Sequence, residues 1–147
     1  MHQPSAFVQS DTAELKTLVG RYPLAVLIVK FEGALLINHI PLLWNNVSKN
    51  EELHGHIPRS NELFAALSNS GTGLNATAVF QEPNGYISPS DYPSKVRTLK
   101  VVPTWNYAVV HLRGELQLRD DSTFLRAQVD QLTAEHETRT NPESPQV

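Results

Sequence analysis

Leu15, Leu18, Val19 and Tyr22 recur at helical spacing and Pro23 closes the pattern, so the chain opens with a short amphipathic helix. Asp11, Thr12, Ala13 and Glu14 have the spacing of a reciprocal cap, in which Asp11 accepts from a first-turn amide and Glu14 reaches back. Residues 24–30, LAVLIVK, are rich in β-branched side chains and too apolar for a strand with one wet face, which predicts cover on both faces. Glu32-Gly33 permits a turn into a second apolar run, residues 34–43, and the pair reads as a hairpin. Residues 45–52 are polar and turn-like, and residues 53–57 make a short third strand. A short helix over residues 62–67 follows, with Ser60 or Asn61 as its cap. Strands are predicted at residues 76–80 and 105–112, and polar and apolar residues alternate over 115–119 as at a half-exposed strand. Asp120 or Asp121 caps a last helix through His136, with Leu125, Val129 and Leu132 on one face. Residues 137–147 lack apolar periodicity and are expected to fray as a flexible tail behind a single domain of residues 1–136.

Between the later strands lies the stretch where aromatics concentrate. Residues 79–112 hold Tyr86, Tyr92, Trp105 and Tyr107 together with Pro83, Pro89, Pro93 and Pro103. Proline fixes φ and donates no hydrogen bond, so this cannot be a continuous helix or central strand. It reads as strand, shaped loop, strand. Two roles stand for such a loop: a binding surface held by the flanking strands, or an aromatic plug under a long connection.

Composition narrows the class. A chain of 147 residues, 40% hydrophobic and 18% charged, suits one ordinary globular domain, and ten prolines against seven glycines imply many turns. The net charge of -3 argues against a generally basic nucleic-acid surface. Zero cysteines exclude disulfides and thiolate metal sites within the sequence. No apolar run approaches the ~18 residues of a spanning helix. The polar start, MHQPSAFVQSDTAE, lacks a signal-peptide core, so a cytoplasmic location is the default.

The candidate chemistry is sparse. Pro58-Arg59-Ser60-Asn61 at a helix start could present amides and a guanidinium to an anion such as a phosphate, or Arg59 could be a surface arginine beside an ordinary cap. Asn38 and His39 interrupt an apolar strand and need partners, either within the protein or in a ligand along the backbone. His54 and His56 share a strand face and His39 and His111 lie in apolar runs, but no carboxylate stands at a recognised ligand spacing, so no metal site is assigned. Gly71-Thr72-Gly73-Leu74-Asn75-Ala76 matches a loose dinucleotide fingerprint in the wrong context, because it follows a helix and opens a strand. Tyr92 and Lys95 are three apart rather than four, no G-x-S-x-G elbow exists, and no helix-turn-helix is recognisable. Short strands between turns, with helices at start, middle and end, predict a mostly β fold with α additions, an antiparallel barrel.

The runs YISPSDYPSK and KVVPTWNYAVVH, with NHIPLL at residues 38–43 and GHIPRSN at residues 55–61, closely resemble the signature of PaiB-like proteins, the FMN-binding negative transcriptional regulators. The resemblance extends from residues 4–7 to residues 132–137. It implies an FMN-binding split β-barrel, usually a homodimer with flavin at the subunit interface. Through the matching runs it implies cofactor contacts from Asn38, His39 and Pro41, from His56, Arg59, Ser60 and Asn61, and from Tyr92, Lys95, Trp105 and Asn106. DNA binding as a regulator rests on the family label. A flavin-dependent oxidoreductase, or an interaction protein that has lost its flavin, are the alternatives within related split barrels. Asp91 departs from the tryptophan more usual in the family, and the family's C-terminal helix, strands and basic motif are expected to be absent.

Overall fold

Glu32 and Gly33 both take the left-handed region, with φ of 48° and 86°, and this two-residue turn joins strands β1 (Leu24–Phe31) and β2 (Ala34–Pro41) in register from Phe31 opposite Ala34 to Leu24 opposite Pro41. The computed structural model describes residues 3–47, 50–95 and 99–140. Around this hairpin the chain places α1 (Thr12–Arg21), β3 (Leu43–Val47), β4 (Asn50–His54), α2 (Glu62–Ser70), β5 (Leu74–Gln81), β6 (Gly85–Ile87), β7 (Thr104–Asn106), β8 (Val109–Leu116) and α3 (Ser122–Thr140). Two 3-10 turns, Ser5–Phe7 and Pro89–Asp91, are also present among the described residues. The fold is mostly β with α additions.

The main sheet has four strands in the order β2-β1-β5-β8, each antiparallel to its neighbours. Register and the two-residue period sort its side chains. Ala25, Leu27 and Val29 of β1 share one face with Ile40, Ala78, Phe80 and Val110, and all are buried. Val19 of α1 and Leu63 and Leu67 of α2 close over that face, with Leu15 and Leu18 packed beside them. Fully burying such a side chain contributes about 1.5–3 kcal/mol, so this layer of helices on sheet carries the fold.

The other face of the sheet departs from the sequence reading. Leu24, Val26, Ile28 and Lys30 were expected to be covered, yet they lie on an open face with Leu35 and Ile37 of β2, which are 62% and 55% exposed. Among the described residues of one chain no element covers them, because the helices that pack on the sheet, α1 and α2, lie on the core side.

Three further boundaries differ. The polar stretch 45–52 is a β-hairpin, with Leu43 opposite His54 and Val47 opposite Asn50, because paired backbone supports polar residues on an exposed ribbon. β6 and β7 continue the β5–β8 ribbon past an irregular step at which the Glu82 amide donates to the Ala108 carbonyl. The alternation over 115–119 holds, with Leu116 and Leu118 against the core, but the ladder stops at Leu116. The ladders do not close into a barrel among the described residues; they form the four-stranded sheet and two separate two-stranded ribbons. The expected barrel is therefore observed only as antiparallel pieces.

The caps follow local chemistry. The Asp11 side chain accepts from the Ala13 amide as expected, but the Asp11 amide donates to Gln9 Oε1 at 2.8 Å, so the reciprocal contact expected of Glu14 is made by Gln9. Asn61, not Ser60, caps α2, and Gly71 ends that helix at φ 63° before β5 begins at Leu74. The glycine-rich hexapeptide is thus a helix stop, as its context indicated. Asp121 caps α3 by accepting from the Phe124 amide at 2.6 Å. No helix among the described residues is long and apolar enough to cross a membrane. Residues 141–147 of the expected tail, 48–49 of the turn-like segment and 96–98 of the aromatic stretch lie outside the described residues.

Candidate functional site

The loop after β4 reverses at residues 58–61, where the Asn61 amide donates to the Pro58 carbonyl at 2.9 Å. Arg59 and Ser60 therefore occupy the exposed corner of a turn that ends in the cap of α2. Asn61 is held at both ends of its amide: Oδ1 accepts from the Leu63 amide at 2.9 Å, and Nδ2 donates to Asn38 Oδ1 at 2.7 Å. That bond ties the turn to β2. Asn38 lies half-buried on the core side of the sheet between Leu36 and Ile40, so its polar interruption of the strand is satisfied across the fold.

His39 is on the opposite face. Alternation along β2 forces this, and the register places His39, Val26, Val79 and His111 in one row across all four strands of the open side. His39 and Asn38 cannot line one site within a chain, nor can His39 and His111 meet across two intervening valines. Pro41 ends β2 beside the loop: a Cβ added to Gly55 would lie 3.0 Å from the Pro41 carbonyl oxygen. Gly55 is thus the residue that lets the loop run against the β2 backbone.

Arg59 has a partner that local sequence reading missed. Its Nη2 donates to both carboxylate oxygens of Asp120, at 2.8 and 2.9 Å, although the side chain is 75% exposed. Asp120 is available because Asp121 makes the cap of α3. An Asp-Asp pair at a helix start, of which one caps, is the only sequence signal for it. Two histidines of the same segment also meet α3. His54 packs edge-on against Phe124 with centroids 5.2 Å apart and lies 2.9 Å from Glu52, while His56 Nδ1 lies 2.9 Å from Gln128 Oε1. Among the described residues no three His, Cys, Asp or Glu side chains converge to hold a metal ion.

Of the remaining predicted residues, Trp105 and Asn106 lie on the ribbon of β6 and β7, and Tyr92 and Lys95 in the loop after β6. Trp105 stands opposite Tyr86 in register and packs against it edge-on, centroids 5.8 Å apart, while remaining 59% exposed. Asn106 pairs with Gly85. Lys95 donates from Nζ to Ser90 Oγ at 3.0 Å and from its amide to the Tyr92 carbonyl at 3.0 Å. Asp91, where the family more often has tryptophan, accepts from the Ser88 amide at 3.0 Å and completes the capping box of the 3-10 turn. Trp105 and Asn106 thus make their ring and ladder contacts within the ribbon, and Tyr92 and Lys95 bond within the loop after β6; among the described residues none of the four is hydrogen-bonded to Asn38, His56 or residues 59–61. Within one chain Asn38 is bonded to Asn61, Pro41 lies against Gly55 of the same loop, His56 turns to Gln128 and Arg59 to Asp120.

A flavin phosphate fits the turn at residues 58–61. The guanidinium already holds a two-oxygen anion, stands at an exposed corner and precedes a capped helix whose N-terminal end favours negative charge. Arg59 and Ser60 would take the phosphate oxygens, and Asn61 would keep the turn in place. The flavin, when bound, supplies reversible redox chemistry at its ring.

The chain is 35% identical over 104 residues to the uncharacterized protein YKL070W of Saccharomyces cerevisiae, a stretch covering 69% of this chain and 60% of that protein. It is 25% identical over 142 residues to the protease synthase and sporulation protein PAI 2 of Bacillus subtilis, covering 97% of this chain and 65% of that protein. A third relative, the uncharacterized protein AN0679 of Emericella nidulans, is 29% identical over 168 residues, covering 94% of this chain and 67% of that protein. The chain therefore spans about three fifths to two thirds of the length of these curated relatives. A family model described as "Putative FMN-binding domain" matches residues 1–146, and with that coverage the chain belongs to the FMN-binding domain family, whose cofactor is FMN.

Proposed function

We propose that this chain binds FMN with its phosphate at the 58–61 turn, as the flavin-binding part of a PaiB-like negative transcriptional regulator. Family membership supports the cofactor, and the Bacillus relative, named for protease synthesis and sporulation, supports a regulatory setting. The observation that carries the phosphate assignment is the exposed Arg59 guanidinium, already engaged with a two-oxygen anion at the turn before α2. The open sheet and its two ribbons are the antiparallel pieces from which we infer a split barrel, completed in a homodimer. In that arrangement the aromatic ribbon of one copy reaches the flavin of the other.

Titration of wild type and Arg59→Ala with FMN and riboflavin tests the assignment. Hydrogen bonds to charged groups contribute about 1.5–3 kcal/mol, so FMN affinity should fall roughly ten- to a hundredfold or more, with riboflavin affinity unchanged. Equal FMN affinities, or equal losses for both flavins, would return Arg59 to an ordinary surface role. NAD(P)H-dependent bleaching of the flavin-loaded protein would move the reading to an oxidoreductase.

A further inference from the structure

A concavity lies at the far end of α3, where the C-terminal turns of α1 and α3 face β3. Its volume is about 610 Å³, within the range of small-molecule sites. Three cations line it, Lys16, Arg21 and Arg139, against one carboxylate, Glu135, in a chain whose net charge is -3. Two of these cations are committed. Lys16 pairs with Glu51 and donates to Asn46, and Arg139 pairs with Glu135 and donates to the Gly20 carbonyl. Arg21 forms no ion pair among the described residues, and its Cζ lies 5.6 Å from the Tyr22 ring centroid. The indole of Trp44 lines the same space, with the Lys16 ammonium 5.4 Å from its ring centroid.

We infer that this cavity is a binding site for a small organic anion with a flat apolar body and one carboxylate, its charge held by Arg21 and its ring laid against Trp44. The space is too large for an inorganic ion, and its wall joins an aromatic face to an excess of positive charge. Guanidinium matches the two oxygens of a carboxylate, and ring faces add contact area beside a cation. Gly20, without a side chain, keeps α1 from filling the space in front of Arg139. The site is separate from the proposed phosphate turn. Arg59 pairs with Asp120 just before α3, whereas the cavity meets that helix at Glu135, about 20 Å along it from Ser122 at ~1.5 Å per residue.

The inference does not rest on the Arg59 reading. The indole N–H of Trp44, buried without an acceptor among the described residues, is a convenient reporter. In two-dimensional NMR of the full chain, with Trp105→Phe used to assign the signal, benzoate should shift this resonance to saturation. Benzamide and inorganic phosphate should bind at least about tenfold more weakly, and Arg21→Gln should weaken benzoate by roughly tenfold or more. The FMN affinity of Arg21→Gln should equal that of wild type. Unsaturable shifts, equal binding of benzamide or phosphate, or an unchanged response in Arg21→Gln would overturn the site. Displacement of benzoate by FMN in Arg59→Ala would also overturn it, by assigning the cavity to the flavin.

Discussion

Arg59 is best understood together with the carboxylate that holds it. An exposed ion pair contributes about 0.2–1 kcal/mol, so Asp120 competes only weakly with a doubly charged phosphate for the same guanidinium. Asp120→Asn should therefore tighten FMN binding by about two- to fivefold and leave thermal stability nearly unchanged, since Asp121 makes the helix cap. Weaker FMN binding in this variant, measured by flavin fluorescence quenching, would mean that Asp120 positions Arg59 rather than competing for it. Gly55 gives a second test at this scale. A methyl group there would stand 2.6 Å from Leu42 Cδ2 and 3.0 Å from the Pro41 carbonyl oxygen, so the loop backbone must shift. Gly55→Ala is expected to cost about 1–3 kcal/mol, measured by denaturant unfolding, and to weaken FMN binding because the same loop carries Arg59. An unchanged midpoint would show that the loop yields freely. The turn at residues 58–61 and the Asn61 cap were legible in the sequence because their signals are local; Asp120, 61 residues away from Arg59, was not.

Among the elements, α3 departs furthest from its sequence pattern. Leu125 and Val129, expected on one apolar face with Leu132, are exposed, and the helix docks through a neighbouring stripe instead. Phe124 meets His54, Gln128 meets His56, Gln131 donates to Asn45 at 2.8 Å, and Arg139 reaches Gly20. A helix with apolar residues on one side and hydrogen-bonding residues on the next has two candidate faces, and the groups presented by β3, β4 and the following loop selected between them. Gln128 shows the consequence, being only 3% exposed with Nε2 lacking an acceptor among the described residues. An unsatisfied buried donor costs about 1–3 kcal/mol, and His56 is exposed enough to turn to water. Gln128→Met should therefore match or exceed wild type in thermal unfolding. A loss of more than about 1 kcal/mol would show that the bond to His56 outweighs that penalty.

At the scale of the whole molecule, the open sheet face decides what the chain must do next. Leu24, Leu35 and Ile37 are exposed together beside Val26, Ile28 and Val79, and Trp105 and Tyr107 are exposed on the ribbon. Contiguous apolar surface of this kind marks an interface, and a second copy is the simplest cover. Sedimentation at micromolar concentration should show a dimer, and Ile37→Asp, at a position exposed within one chain, should give a folded monomer. A wild type that sediments only as monomer would remove the proposed homodimer. The sequence by itself determined the helix starts, the β1–β2 hairpin, the strand β5 and the turn before α2, because caps, prolines, glycines and two-residue alternation act over a few residues; it did not find the β3–β4 hairpin, whose polar residues carry no strand pattern. Family membership followed from the same residues in longer runs. The tertiary structure alone decided which face of β1 is covered, that Asn38 and His39 part to opposite sides of the sheet, which stripe of α3 docks, and that Asp120 meets Arg59. Those outcomes depend on groups far apart in the chain, whose encounter is governed by register and packing rather than by any local preference.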